Sequence, residues 1–456
     1  MSPSLKTAKY LKNYGVHLQR PVRSSSTEGV KMVVVIPALA ESSSLFHTLA
    51  SIAGNFSADL AKTLVLCVVN NHRSPLSAPE DILDNRKTLV LLENFILGNV
   101  RCWSPHAETH DDLIQRARSG LRLGWIDASS PGLEIPDREG GVGMARKIGM
   151  DAALTLFDGC GPGGGVIACL DADTLVEQNY LYAVYSHFSD GHHSAAVARY
   201  AHQKPSDPRL LSAICCYEIY LRAYVMGLLY AGSPYAFHAI GSTIACTAQA
   251  YVDVRGMNRR MAAEDFHFLN KMSKIGSIGV IKKTTVFPSP RPSKRVPFGT
   301  GRWILQFMID GMGECRLYDP RIFEILREWL IGMEINPDRS SEAILTTAEM
   351  IHPDLKEFLD SSHFSINWPV IRRNSPDPIH LRRQFHVWFD GLKTLRLIRH
   401  LSRSAFPSVT MFEGLKGLLE KMGKTIPSIA EIHAGIQKPD IPVRILDELR
   451  SRFPES

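Results

Sequence analysis

Two aspartates one residue apart, Asp171 and Asp173, close the apolar run VIACL at residues 166–170. Alternate residues at a strand end can face one side, so both carboxylates can serve one ligand. Such hard oxygen donors suit Mg2+ or Mn2+, and Mg2+ usually takes one or two carboxylates together with substrate phosphates. The plain alternative is a pair of solvated loop acids ahead of a helix. A second pair, Glu264–Asp265, heads the helical pattern MAAEDFHFLNKM. Acids there complement the helix dipole. A carboxylate near a metal site is also what a base that deprotonates a hydroxyl requires. Further on, SPRPSKRVPFGTGRW (289–303) carries Arg291, Lys294, Arg295 and Arg302 with no acid among them. It reads as a surface linker or as a loop closing on a diphosphate, whose oxygens match arginine forks.

These groups need a scaffold that brings them to one place. KMVVVI (31–36) is a continuous β-branched run ending at Pro37, as in a strand buried on both faces. SSSLFHTLASIAGNF follows with helical spacing, and Ser42 to Ser44 can cap its start. TLVLCVV, ending at Asn70–Asn71, reads as a second strand, TLVLLENFILGN as a helix and LRLGWIDAS as a third strand. GVGMARKIGMDAALTLF reads as a helix and GGGVIACL as a fourth strand. Alternating strands and helices predict an α/β sheet with right-handed crossovers. Ligands of such sheets bind beyond the carboxyl ends of the strands. Pro37 to Glu41, Asn70–Asn71 and Asp171 to Asp173 all fall at those ends. From about residue 310, helical patterns separated by proline-rich turns predict a helical C-terminal region.

The 456 residues suggest two or three domains. With 45% hydrophobic and 21% charged residues the chain is an ordinary folded protein. A net charge of +6 at this length makes no case for nucleic-acid binding. The eight cysteines form no CxxC pair and several lie in apolar runs, which predicts reduced core thiols and no zinc site. The first 29 residues contain no apolar signal core. The expected location is therefore the cytoplasm. Residues 223–252 carry no charge apart from neutral His238. That is long enough to span a bilayer, but glycines and Pro234 break it, so a buried pair of elements is expected. The basic helical pattern 381–403 reads as a solvated face. A peripheral contact with the inner face of the membrane is the alternative.

In this order, VVVIPALAE, VVNNHRS, GVGMARKIGMDAA, VIACLDADT, GSTIACTAQAYVDVRGM and AAEDFHFLNKM resemble the family 2-like glycosyltransferases of the GT-A fold. The resemblance covers about residues 30–305. It implies a mixed, mostly parallel α/β sheet with flanking helices, between an N-terminal extension (1–29) and a helical C-terminal region (306–456). It further implies transfer of a sugar, a hexose in the first instance, from a nucleotide-sugar donor to an acceptor hydroxyl, with Mg2+ or Mn2+ as cofactor. Pro37, Ala38 and Glu41 would line the nucleotide pocket, with Asn70 near the base and Arg146 near the nucleotide or diphosphate. Asp171 and Asp173 would serve the ribose and the metal, and Asp265 would be the base of an inverting displacement. Arg291, Arg295 and Arg302 would assist the leaving group, with Arg302–Trp303 where many members carry a basic-aromatic clamp. His238 and His267 stand where a third metal ligand could be sought, as some retaining GT-A enzymes have one.

Asn70–Asn71 occupies the place where many members carry a base-reading acid, so the nucleotide is left open. The alternatives are a retaining transferase of the glucosyl- or mannosyl-glycerate type and a non-catalytic nucleotide-sugar-binding module. A sugar-1-phosphate nucleotidyltransferase is disfavoured because PALAESSS lacks the glycine-rich loop those enzymes place after the first strand.

Overall fold

The run MVVVIPA (32–38) is buried along its whole length, as β-branched side chains covered on both faces of a sheet must be. In the computed structural model it is a strand of a nine-stranded sheet. The structure describes residues 5–16, 20–98, 120–137, 139, 141–157, 164–189, 191, 193–260, 263–293, 299–310, 315–429 and 440–453. The strands are β1 (Arg23–Ser24), β2 (Met32–Ala38), β3 (Thr63–Asn70), β4 (Arg122–Ala128), β5 (Val166–Cys169), β6 (Leu175–Val176), β7 (Ala195–Tyr200), β8 (Ile244–Thr247) and β9 (Ile278–Phe287). Their order is β1-β4-β3-β2-β5-β8-β7-β9-β6. The long pairings β2–β3, β3–β4 and β7–β9 are parallel, as is β2–β5. The antiparallel contacts are the short ones made by β1, β6 and β8. The expected mixed, mostly parallel sheet is present.

The chain steps outward from β2 to β3 to β4, then returns to β5 on the other side of β2. This reversal is a topological switch point, where open α/β sheets form their crevice. The loops after β2 and β5 meet there. β2 runs two residues further than expected, through Pro37 to Ala38. Val35 faces β5, since its carbonyl accepts the Leu170 N–H at 3.1 Å. Pro37 faces the same side by alternation, but β5 has already ended at Cys169. The donor that proline lacks would have had no strand partner.

The compact unit that holds the sheet comprises Met1–Gln203 and Ala239–Pro290 as its main segments. Its helices are α1 (Leu5–Tyr14), α2 (Leu45–Ala53), α3 (Ser57–Leu60), α4 (Pro79–Leu97), α5 (Gly141–Ala153) and α6 (Tyr180–His187). After α7 (Pro208–Tyr230) of the other unit come α8 (Ala248–Asp253) and α9 (Glu264–Met272). The N-terminal residues expected to be an extension thus contribute a helix and an edge strand to this unit. α5 is buried from Gly143 to Ala153 and packs on β2 and β3. A Cβ on Gly149 would run into Val35 and lie 3.0 Å from a Val68 methyl, so glycine sets how closely α5 approaches the sheet.

The second unit comprises chiefly Lys204–His238 and Gly299–Ser456. It gathers α7, α10 (Thr300–Asp310), α11 (Pro320–Ile335), α12 (Ser341–Ile351), α13 (Pro353–Ser361), α14 (Phe364–Arg373), α15 (Pro378–Trp388), α16 (Gly391–Ser404), α17 (Met411–Lys421) and α18 (Ile441–Arg452). Strands β10 (Arg316–Leu317) and β11 (Val409–Thr410) pair antiparallel. The expected helical C-terminal region is present, with α7 joined to it. α7 is long and apolar enough to cross a membrane, but 61% of its apolar window is buried inside the protein. It also carries a buried acid. Glu218 receives Arg222 of its own helix at 2.9 and 3.0 Å and Arg450 of α18 at 2.7 and 2.8 Å. The uncharged run 223–252 is split among the end of α7, a loop, β8 and α8, so it forms no single helix. None of the six described cysteines forms a disulfide.

Gly149→Ala should destabilise the protein by about 1–3 kcal/mol through overpacking on β2 and β3. The ~1 kcal/mol gain in helix propensity offsets part of that. A fall in the urea midpoint without a change of slope would show it.

Candidate functional site

Three loops meet at the switch point, and side chains of α4 organise two of them. Asn85 accepts the Ala40 N–H at 2.9 Å. It donates to the Asn70 carbonyl at 3.0 Å and to Asn71 Oδ1 at 2.9 Å. Its neighbour Asp84 accepts the Ser42 N–H at 3.0 Å and the Ser42 hydroxyl at 2.5 Å. Two adjacent residues of one helix thus fix the loops that follow β2 and β3. Ala40 is held at φ +51°, a conformation that alanine rarely adopts. Glu41 is buried, and its Oε2 accepts the Ser44 hydroxyl at 2.7 Å. Ser44 therefore bonds an acid of the loop and makes no side-chain cap to α2.

Pro37 and Ala38 line the end of β2 and Asn70 the end of β3. Asn70 is buried, and its Oδ1 has no hydrogen-bond partner among the described residues. An unsatisfied buried carbonyl at a strand end is where a ligand donor can repay the lost hydration.

The loop after β5 is held by its backbone. The Ala172 carbonyl accepts the Thr48 hydroxyl at 2.9 Å, and the Asp173 carbonyl accepts Gln203 Nε2 at 2.9 Å. The Thr174 N–H closes a turn on the Asp171 carbonyl at 3.1 Å. Both carboxylates are only partly buried, the Asp171 side chain being 38% exposed.

Arg146 is the centre of the site. It is 3% exposed, and its guanidinium bridges two acids, donating through Nη2 to Asp171 and through Nη1 to Glu264. Glu264 is itself buried. A Cβ on Gly241 would fall on this guanidinium, so glycine leaves the room that Arg146 fills. A Cβ on Gly143 would lie 2.9 Å from Glu264 Cβ and 3.0 Å from the Asn258 carbonyl, so the start of α5 packs directly on the start of α9. Just before Glu264, Ala263 sits at φ +56°. Both strained alanines thus flank candidate site residues, where strain of this kind tends to collect.

Burial works against the Arg146 charge, but Asp171 and Glu264 outweigh it, and its pKa lies above the ordinary arginine value. Burial pushes the Glu264 carboxyl up, against the pull of Arg146. Burial and the adjacent Glu264 carboxylate push Asp265 up to about 7, although Arg146 and the Phe266 N–H, which Oδ1 accepts at 2.7 Å, favour its charge. A carboxyl that titrates near neutrality is suited to taking up a proton.

Among the described residues no cluster of three or more His, Cys, Asp or Glu side chains is placed to hold a metal. Asp171 and Asp173 bring two partly buried carboxylates to the end of β5, oxygen donors of the kind that Mg2+ or Mn2+ takes when phosphate oxygens complete its shell. His267 is on α9 beside the site acids, and His238 belongs to the second unit. Arg291 and Arg302 belong to the second unit as well, and Arg302 is exposed. Trp303 packs on Tyr217 and Phe307, at ring separations of 5.3 and 5.5 Å, within that unit. Lys294 and Arg295 lie outside the described residues. Sequence reasoning missed Asp84, Asn85, Gly143 and Gly241. Only the two glycines left a signal, small residues beside a motif, while an Asp-Asn pair within a helical pattern leaves none.

No protein-family model and no curated protein sequence matches the chain. Similar solved structures include residues 1–349 of S. aureus TarS in complex with UDP-GlcNAc, 13% identical, covering 93% of this chain and 92% of that chain at a TM-score of 0.35. They also include the mannosyltransferase PcManGT from Pyrobaculum calidifontis in complex with GDP-Man and Mn2+, 14% identical, covering 99% and 96% at a TM-score of 0.36. A likeness this shallow carries no argument about chemistry, which has to come from the residues.

Replacing Arg146 by alanine leaves two acids facing each other without their cation. Such a loss at a buried pair costs roughly 3–5 kcal/mol, to be read from urea unfolding. Ala263→Gly should move the other way, stabilising by up to about 1 kcal/mol as the αL strain is relieved.

Proposed function

We propose that the chain transfers a sugar, a hexose in the first instance, from a nucleotide-sugar donor to an acceptor hydroxyl, with a divalent metal and inversion at the sugar carbon. One observation carries the reading. Acids from the end of β5 and the start of α9, 93 residues apart between Asp171 and Glu264, meet on a single buried arginine at the switch point. Metal-diphosphate carboxylates and a proton acceptor need that convergence, and a plain structural core does not.

Pro37, Ala38 and Glu41 would shape the nucleotide pocket, with the Asn70 amide at its base end. Asp171 and Asp173 would hold Mg2+ or Mn2+. When bound, such an ion neutralises charge on the diphosphate as it departs. Asp265 accepts the proton of the acceptor hydroxyl while that oxygen forms its bond to the sugar carbon. The bond from that carbon to the diphosphate oxygen breaks on the opposite side, which inverts the centre. Arg146 keeps Glu264 and Asp171 in place and limits the repulsion that Asp265 meets.

A melting-shift screen of nucleoside diphosphates and nucleotide-sugars, with and without Mn2+, tests the reading. A ligand bound at a hundred times its Kd adds about 2.7 kcal/mol. A shift that needs both nucleotide and metal is expected, and no shift with any member would count against the assignment. Asp265→Asn should lower kcat by about 10²- to 10⁴-fold. In the wild type, kcat/KM should rise with pH to a plateau above about 7, because the base must be ionised. The raised carboxyl makes stability fall as pH climbs from about 4 to about 7, where the unfolded chain has already lost the proton that the folded state keeps. Asp265→Asn should therefore raise the melting temperature more at pH 8 than at pH 5.

A further inference from the structure

A second buried charge cluster begins one residue after Arg146. Asp151 is wholly buried on α5. Its Oδ1 accepts the Tyr10 hydroxyl at 2.7 Å and the Tyr251 hydroxyl at 2.7 Å. Its Oδ2 accepts the Val16 N–H at 3.0 Å and lies 3.0 Å from Lys147 Nζ. Lys147 also donates to the Tyr10 hydroxyl at 2.8 Å. Tyr10 is therefore both donor and acceptor between two buried charges of α5, although it comes from α1. A buried ion pair is tolerated only when its remaining lone pairs and protons are met in this way.

The same hydroxyl touches the support of α9. Gly256, at φ +71°, approaches so closely that a Cβ there would take the place of the Tyr10 hydroxyl. The carbonyls of Val254 and Gly256 both accept Lys271 Nζ of α9, the first at 3.1 Å. Tyr10 thus sits where α5, which carries Arg146, meets the turn that grips α9, which carries Glu264 and Asp265.

We propose that Tyr10 is a positioning residue for the transfer reaction. Together with Asp151 it sets α5 and α9 in register, so that Arg146 meets Glu264 and Asp265 reaches the acceptor. The proposal rests on the reading of the site given above. α5 is already held on β2 and β3 by its own packing, so the loosening falls on the α9 side of the junction, which carries Asp265. A displacement of about 1 Å at a reacting group can cost about a hundredfold in rate.

The test uses the full chain with Mn2+ and either UDP-N-acetylglucosamine or GDP-mannose as donor probe. Tyr10→Phe should lower kcat by about ten- to a hundredfold while the donor KM stays within about twofold. Lys6→Ala removes the exposed ion pair between α1 and Asp253 and should behave as wild type. Hydrogen exchange, which needs no turnover, should quicken in the α9 amides of Tyr10→Phe and not in β2 or β3. A lower melting temperature with unchanged kcat and unchanged α9 exchange would overturn the proposal and leave α1 as a plain anchor. If the wild type turns over neither donor, the functional reading suffers, while the exchange measurement still decides the role of Tyr10. Should Tyr10→Phe fail to fold, Tyr251→Phe removes the other hydroxyl from the same carboxylate oxygen and is read the same way.

Discussion

The structure of the site depends on one buried cation. Arg146 has lost its hydration, and a guanidinium in that position persists only if acids surround it. Asp171 and Glu264 do so, one from the loop after β5 and one from the start of α9. The arginine therefore works as a strut between the end of β5 and the start of α9. Its own helix must then be held firmly, and small residues allow it. Gly149 lets α5 settle on β2 and β3, Gly143 lets it touch α9, and Gly241 leaves space for the guanidinium. A close-packed helix with a buried charge at its centre defines a position to within a fraction of an ångström, because interiors pack like crystals.

The unusual protonation of Asp265 follows from this arrangement. Burial and the neighbouring Glu264 carboxylate raise the Asp265 carboxyl, while Arg146 is already engaged by Asp171 and Glu264. Glu264 is better placed for the ion pair and Asp171 is better hydrated. The acid that chemistry would use is therefore the one the electrostatics leave ready to take a proton near neutral pH.

The loops after β2 and β3 are held by an amide and a carboxylate of α4. Asn85 ties the loop of β2 to the loop of β3, and Asp84 takes the hydroxyl and N–H of Ser42. These bonds meet the loop backbone where no strand is left to do so. The same logic serves the second unit at another point. There Glu218 satisfies Arg222 and Arg450 and fixes α18 against the long apolar helix α7.

The alternation of apolar runs and helical patterns was enough to determine the α/β sheet, four of its strands and, within two residues, the ends on which the acids stand. Burial on both faces of a parallel strand demands unbroken β-branched runs, and such runs can be read directly. The helical character of the C-terminal region was legible for the same reason, since a 3.6-residue period survives without knowledge of what it packs against. Tertiary structure alone decided the partners. Nothing in GVGMARKIGMDAA says that Arg146 will be buried between two acids, that Asp84 and Asn85 will hold two loops, or that Tyr10 will reach Asp151. Ion pairs and hydrogen bonds between residues 14 to 141 positions apart leave no local period or spacing. They exist only once the chain has brought the groups within about 3 Å and removed the water that would otherwise compete.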